Sequence, residues 1–257
     1  YIPKASGKDL LWMSSDSLFE INKPIRGGIP ICWPWFGKPN PVENPGAALQ
    51  HGFARSFDWS VKGVNYIDED TTSVTLVLYS TVDSMKLYPY CFRAELEVIV
   101  GKTLKLNLTT FNTGLAPMRI TQAMHTCFAV GDINQTEVLG FDGISYIDTV
   151  PGAAEVNCTQ SGSIAFNCEV DRIYEDFSGT AIIDDKANSR KIVVKKSNSN
   201  TSVVWNPWIN KAAAMADYNN DGYLSMVCVE TCNITKDAQF IAPGESWTLS
   251  TEICEEA

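Results

Sequence analysis

Apolar and polar residues alternate along most of the chain with a period of two residues, not the 3.6 of an α-helix. The stretch SVTLVLYS places Val74, Leu76 and Leu78 on one face, and AELEVIV and LKLNLTT repeat the alternation. Such a pattern is typical of β-strands that bury one face and expose the other. The middle of the chain is therefore predicted to form consecutive strands.

Segments of the same kind continue to the end of the chain, each bounded by Asp, Asn, Gly or Pro: TAIIDD, KIVVKK, TSVVWN, LSMVCVE and SWTLSTEI. The one helix-like run, NKAAAMADY, is too short to organise a domain. Many strands without intervening helices predict an all-β fold, an antiparallel sandwich or barrel. Since the 257 residues contain no repeat and no linker, we expect a single domain over 1–257.

Composition and charge exclude some classes of function. The chain is 45% apolar and 19% charged, and it contains no uncharged apolar run of the length that crosses a membrane. Its net charge of -10 argues against a nucleic-acid binder, because neutralising phosphates needs an excess of Lys and Arg. We therefore expect neither nucleic acid nor membrane as partner, although a local basic pocket is compatible with this charge. The sequence begins at Tyr1, so we expect that an N-terminal piece with a strand or two is missing.

The eight cysteines are spread over most of the chain, several of them in apolar runs such as SMVCVE. This distribution favours buried free thiols over a disulfide framework. There is no Cys-x-x-Cys pair, so neither a zinc knuckle nor a thioredoxin-like site is expected. We predict a cytoplasmic protein without a metal or other cofactor, and the five Asn-x-Ser/Thr sequons leave a secreted protein as the alternative.

The chain has only two histidines, and histidine is the side chain that titrates near neutral pH. His51 opens HGFARSFDW, and His125 lies in the apolar stretch TQAMHTCFAV, where a hydrogen-bonded core histidine is the alternative. Glu230 ends LSMVCVE, so we expect it at a strand end or partly buried. Burial would raise its pKa toward that of a useful general base, whereas a solvated glutamate would have no such role.

Three arginines stand beside glycine or aromatic residues: Arg26 in IRGGIP, Arg55 in HGFARSF and Arg93 in YCFRAEL. The planar guanidinium matches a phosphate or carboxylate with two hydrogen bonds. Any one of them could instead stack on an aromatic ring, but the recurrence favours an anion-binding cluster. Asp171 in EVDRIYEDF is either a site residue or the salt-bridge partner of Arg172.

Seven motifs spread over residues 26–247 resemble those of one enzyme family: RGGIPICWPWFG, HGFARSFDW, MHTCF, VDRIY, VVWNPW, MVCVE and APGESW. They closely resemble, in the same order, the hexose-6-phosphate mutarotases, the glucose-6-phosphate 1-epimerase branch of the aldose 1-epimerase superfamily. The resemblance implies a large antiparallel β-supersandwich, in agreement with the period of two. It also implies a monomer that acts on a small sugar phosphate and needs no cofactor.

The resemblance further implies the roles of individual residues. His125 corresponds to the general acid of the family and Glu230 to its general base. The substrate-binding residues that it implies are Arg26, Gln50, His51, Arg55, Arg93 and Asp171. Of these, Arg26 and Arg55 correspond to the phosphate-recognising pair, and Asp171 and His51 to hydroxyl-binding residues.

Anomer interconversion requires that a base take the proton of the C1 hydroxyl while an acid protonates the ring oxygen, so that the sugar ring opens. Gly27 and Gly28 are expected to turn the backbone so that Arg26 points into the pocket, with the segment 33–36 as its wall. Two other functions remain open from the sequence: an aldose 1-epimerase of unphosphorylated hexoses, and a non-catalytic sugar-phosphate-binding protein.

Overall fold

The computed structural model describes residues 1–21, 23–44, 47–153 and 155–256. In chain order, the strands of this part of the chain are β1 (Ile31–Cys32), β2 (Ser60–Asp68), β3 (Thr71–Tyr79), β4 (Phe92–Val100), β5 (Leu104–Asn112), β6 (Met118–Ile120), β7 (Gln122–Met124), β8 (Cys127–Ala129), β9 (Thr136–Leu139), β10 (Ser145–Asp148), β11 (Asn157–Thr159), β12 (Ile164–Ala165), β13 (Val170–Tyr174), β14 (Ala181–Asp185), β15 (Arg190–Ser197), β16 (Thr201–Asn206), β17 (Met226–Asn233), β18 (Gln239–Ile241) and β19 (Ser246–Glu256). The α-helices are α1 (Val82–Leu87) and α2 (Trp208–Ala214). Single 3₁₀ turns are formed by Ala54–Ser56, Ile133–Gln135, Lys186–Asn188, Gly222–Ser225 and Thr235–Asp237.

The strands form two large antiparallel sheets. The back sheet has the order β12-β9-β14-β15-β19-β5-β4-β3-β2. The front sheet has the order β1-β7-β17-β16-β13-β10-β11, with β8 paired to β17 beyond the end of β7. Strands β18 and β6 form a small sheet of their own. The predicted all-β antiparallel sandwich is confirmed.

The core lies between the two sheets and follows directly from the alternation in the sequence. In β5 of the back sheet, Leu104, Leu106 and Leu108 are buried in it. From the front sheet, Val227 and Val229 of β17 belong to the same cluster. Burying such a side chain stabilises the fold by about 1.5–3 kcal/mol, so these rows hold the two sheets together.

A second, smaller layer of side chains lies on the face of the front sheet that points away from the back sheet. We call this face the open face. Because side chains of a strand alternate between faces, Met226, Cys228 and Cys232 of β17 point away from the core between the sheets. They pack in a cluster with Trp12 and Tyr218, which come from the segments that cover this open face. The functional residues described below lie on this open face.

The two tryptophans of the WPW motif do not line the pocket that contains Arg26 and Arg55, in contrast to the expectation from the sequence. Trp33 and Trp35 are buried in the core between the sheets, and the Trp33 indole donates a hydrogen bond to Thr110 Oγ1 of the back sheet (2.9 Å). Only Phe36 of this segment approaches the site, with its ring centroid 4.7 Å from that of His51. The motif therefore anchors the loop by burying its large rings.

Glycines are required where two motifs pass close to other backbone. At Gly27, with φ +128°, a Cβ atom would lie 2.5 Å from the carbonyl oxygen of Trp12. At Gly52, with φ +71°, it would lie 1.9 Å from that of Trp33. No side chain fits at these distances. The two glycines thus let the loops that carry Arg26 and His51 pack tightly.

Helix α2 lies in the region where the sequence predicts a short helix. No helix among the described residues is long and apolar enough to span a membrane. All eight cysteines are free thiols. Four of them are buried, as predicted, while the others are partly or fully exposed: Cys32, Cys127, Cys228 and Cys232 are the buried ones.

Candidate active site

Glu230 lies in the middle of β17, at a gap in the front sheet. On one side it pairs with Val203 of β16. On the other side β7 ends at Met124 and β8 begins at Cys127, and His125 stands in the break between them. Of the two positions expected for Glu230, the structure shows the buried one and not the strand end, because β17 continues through Asn233.

The carboxylate of Glu230 contacts the imidazole of His125 directly. The distance between Glu230 Oε1 and His125 Nε2 is 3.3 Å, with side-chain exposures of 2% and 15%. The second oxygen, Oε2, is buried and has no hydrogen-bond partner among the described residues. A buried acceptor without a donor is costly, so this oxygen is well suited to accept a hydrogen bond from a ligand.

Burial controls the ionisation of both groups. It raises the pKa of Glu230 to about 8, although the charge of His125 opposes the shift. Burial would lower the pKa of His125, but the charge of Glu230 and the hydrogen bond with Cys127 outweigh it and raise this pKa to about 9. The result is a carboxylate that is a stronger base than usual, beside an imidazolium that persists above neutral pH.

His51 stands beside His125, with 6.1 Å between the ring centroids. Burial, together with the positive charges of His125, Arg55 and Arg26, lowers the pKa of His51 to about 3, so its ring is neutral. The backbone N–H of Gly37 donates to its Nδ1 (3.3 Å). Because a neutral imidazole carries one hydrogen, that hydrogen is on Nε2, which can donate to a sugar oxygen.

Arg26 and Arg55 line one pocket together with His125. Arg26 is already engaged by a carboxylate, since its Nε and Nη2 lie 3.2 Å and 3.1 Å from Asp217 Oδ2. Within the described part of the chain, Arg55 donates only to the carbonyl oxygen of Gln50 (3.0 Å). Arg55 therefore retains more of its hydrogen-bonding capacity for an anion than Arg26 does.

Asp171 and Gln50 are placed differently from each other. Asp171 lies on the open face of the front sheet, because its neighbour Val170 is in the core. It contacts Lys211 Nζ at 3.4 Å, and not Arg172, whose Nη1 donates to Gln160 Oε1. Gln50 is exposed and contacts Arg55 through its backbone.

Arg93 does not lie on the open face with the residues described above. It lies in β4 of the back sheet, where its neighbours Phe92 and Ala94 are in the core. Its side chain therefore points to the outer face, where it stacks on Phe111 (3.9 Å to the ring centroid) and pairs with Glu95 (2.9 Å). The expectation that Arg93 contacts substrate finds no support in this geometry, and the stacked alternative describes its position.

Several residues of the pocket were not singled out from the sequence. Beside the arginines and His125, it is lined by Trp12, Cys127, Trp205, Tyr218 and Met226. Trp205 packs edge-on against the His125 ring, with centroids 5.9 Å apart. It occurs in the motif VVWNPW, but only the pairing of β16 with β17 shows that it adjoins the Glu230–His125 pair.

The chain also matches a known protein family over most of its length. The family model for aldose 1-epimerase matches residues 2–254. The chain belongs to the aldose 1-epimerase family. The membership that the motifs predict is thereby confirmed.

Relatives within the aldose 1-epimerase family carry a more specific name. A Cenchrus ciliaris protein is 36% identical over 94% of this chain and 74% of its own length. An Escherichia coli K12 protein is 35% identical over 88% of this chain and 74% of its own. Both are named “Putative glucose-6-phosphate 1-epimerase”.

A solved structure of the aldose 1-epimerase family shares this fold. It is a crystal structure from Salmonella typhimurium, described as a “putative mutarotase”, with 33% identity and a TM-score of 0.85. The match covers 96% of this chain and 79% of that one. This chain thus shares its sandwich fold with that structure.

Proposed function

We propose that this aldose 1-epimerase family member interconverts the α and β anomers of hexose 6-phosphates such as glucose 6-phosphate. The observation that carries the proposal is the buried contact between Glu230 and His125 beside a pocket that two arginines line. The names of the relatives support the same substrate class. In this proposal the protein's own residues supply the general acid, the general base and the binding site for the anionic phosphate.

Glu230 is the general base of the proposed reaction. Its Oε2 lacks a donor among the described residues, so the C1 hydroxyl of the bound sugar can supply one. As the carboxylate takes the hydroxyl proton, the C1 oxygen becomes a carbonyl and the bond between C1 and the ring oxygen breaks. The raised pKa of Glu230 increases its strength as a base.

His125 is the general acid. As an imidazolium, stabilised by the charge of Glu230, it gives a proton to the ring oxygen, which becomes the C5 hydroxyl of the open aldehyde. Rotation about the bond between C1 and C2 exposes the other face of the carbonyl. Re-closure runs the same proton transfers in reverse, so that both groups return to their starting states.

The arginines orient the substrate from its other end. A 6-phosphate held by Arg55, with Arg26 beside it, uses binding energy remote from C1 to position the reacting atoms. In this proposal His51 Nε2–H and Asp171 bind sugar hydroxyls. Because the whole chain carries a charge of -10, an anionic substrate requires such a local basic site.

Saturation-transfer NMR tests this function. Irradiating the α anomeric proton of glucose 6-phosphate should decrease the β signal when the protein is added. The 6-phosphate of 1,5-anhydroglucitol, which has no C1 hydroxyl, should compete without being converted. If the protein bound glucose 6-phosphate but did not transfer saturation, it would be a non-catalytic sugar-phosphate-binding protein.

The pH profile of kcat/KM should have its maximum between about pH 8 and 9. Activity requires ionised Glu230, whose pKa is raised to about 8, and is lost below that value. It also requires protonated His125, whose pKa is raised to about 9, and is lost above it. The two apparent pKa values belong to the coupled pair.

Initial rates of anomer exchange, corrected for the uncatalysed reaction at each pH, check this profile. Ordinary glutamate and histidine, with pKa values of 4.5 and 6.5, would give a maximum between those values. An acidic maximum of that kind would contradict the electrostatic account of the pair.

A further inference from the structure

We propose that His125, Cys127 and Cys228 form a zinc-binding site, and that a bound Zn²⁺ ion switches off the reaction. The effect on activity rests on the proposed function, whereas the binding of zinc does not.

The three potential ligand atoms are already close together. Cys127 Sγ lies 3.9 Å from His125 Nδ1 and 3.5 Å from Cys228 Sγ, and all three atoms are within 4.8 Å of one another. In a tetrahedral zinc site the ligand atoms are roughly 3.5–3.8 Å apart, given Zn–S of about 2.3 Å and Zn–N of about 2.0 Å. Small side-chain movements would therefore complete the coordination.

Sheet pairing produces this cluster. Cys228 of β17 is paired directly with Cys127 of β8, on the open face of the front sheet. His125 precedes Cys127 by two residues, and both residues line the pocket. The sequence gives no sign of this site, because the two cysteines are 101 residues apart and form no Cys-x-x-Cys pair.

The chemistry of the donors selects zinc. Two thiolates and one imidazole are typical ligands of Zn²⁺, while Mg²⁺ and Ca²⁺ prefer oxygen. The other ring nitrogen of His125 contacts Glu230 Oε1, an arrangement that orients metal-binding histidines in many sites. Three protein ligands leave one tetrahedral position open to water or to an oxygen of the sugar.

Zinc on Nδ1 of His125 would remove the general acid. A metal-bound imidazole cannot also carry a proton on Nδ1, so the imidazolium cannot form. The remaining Nε2–H is a far weaker acid than an imidazolium. Binding should also release protons, since both sulfur ligands must be thiolates and the His125 imidazolium must lose its proton from Nδ1.

Metal binding is measured first, without sugar and under a phosphine reductant. Equilibrium dialysis should show one Zn²⁺ per chain, and Co²⁺ should give thiolate charge-transfer absorption. Cys228→Ala should weaken zinc binding at least about 100-fold. Removing a metal ligand lowers the affinity more than removing a residue that only orients a ligand, which already costs about 10- to 100-fold. Cys232→Ala is the matched control: Cys232 is equally buried in β17, on the other side of Glu230.

Activity is then measured on the same proteins. One equivalent of Zn²⁺ should abolish anomer exchange of glucose 6-phosphate by the wild type and by Cys232→Ala, and EDTA should restore it. Cys228→Ala should stay active at that zinc concentration. Equal zinc affinity in both variants, or no stoichiometric binding by the wild type, would overturn the site. Bound zinc without inhibition would overturn the switch, and a metal-free protein without exchange activity would contradict the proposed function instead.

Discussion

Replacing Glu230 by glutamine should lower the rate of anomer exchange by about 10²–10⁴-fold, the usual contribution of a positioned acid or base. The amide has almost the same shape as the carboxyl group but cannot take the proton of the C1 hydroxyl. The position is 2% exposed, so water is poorly placed to act instead. Exchange NMR on glucose 6-phosphate measures the rate, and isothermal calorimetry measures binding, which should change little.

Glu169→Gln is the matched control for this variant. Glu169 is another carboxylate of this region, but it pairs with Lys211 Nζ at 2.9 Å and does not contact His125. Its replacement should leave the exchange rate within a factor of about two, as for most substitutions outside a site. Full activity in Glu230→Gln would show that another group is the base.

Replacing Arg55 by alanine should lower kcat/KM for glucose 6-phosphate by roughly 10- to 150-fold and leave glucose turnover unchanged. The range corresponds to about 1.5–3 kcal/mol for hydrogen bonds to a charged group. Arg55 is expected to matter more than Arg26, because its one hydrogen bond to a described residue goes to a backbone carbonyl, whereas Arg26 is paired with Asp217. Exchange rates for both sugars, measured over a range of concentrations, give the comparison.

Three further variants sharpen this result. Arg55→Lys keeps the charge but loses the planar pair of donors, so it should recover only part of the loss. Arg26→Ala should act in the same direction with a smaller effect. Arg93→Ala should affect neither sugar, since Arg93 stacks on Phe111 on the outer face of the back sheet. An equal loss for glucose and glucose 6-phosphate in Arg55→Ala would contradict its assignment to the phosphate.

The strands were predictable because their signal is local. The alternation in LKLNLTT corresponds to the buried row Leu104, Leu106 and Leu108. A strand that packs one face against a core needs apolar side chains at every second position, whatever its partners are. The short helix was predicted in the same way. The pairing order of the strands has no such signal, since it depends on contacts between distant segments.

The site was predicted in part. The motifs identify Glu230 and His125, which the structure places in contact, but the catalytic and binding roles remain proposals. Arg93 stands near a phenylalanine in the sequence, as Arg55 does, and only its place in β4 shows that it faces outward. Trp33 and Trp35 are buried because their loop enters the core, which tryptophan content alone does not reveal.

The cluster of His125, Cys127 and Cys228 shows the limit of sequence spacing most clearly. Its geometry arises from the register between β8 and β17, and neither strand contains a recognisable metal motif. The same register leaves Glu230 opposite the gap in which His125 stands. Cross-strand pairing thus determines both the proposed acid–base pair and the proposed zinc site.

Two-dimensional exchange NMR of the wild-type protein, with glucose 6-phosphate and with glucose at equal concentration, distinguishes the proposed reaction from its alternatives. We expect strong exchange peaks between the α and β anomeric protons of glucose 6-phosphate, well above those of glucose and of a sample without protein. Equal acceleration for both sugars would indicate an aldose 1-epimerase that does not use the phosphate. Exchange of glucose 6-phosphate at the uncatalysed rate would show that the protein does not catalyse this reaction.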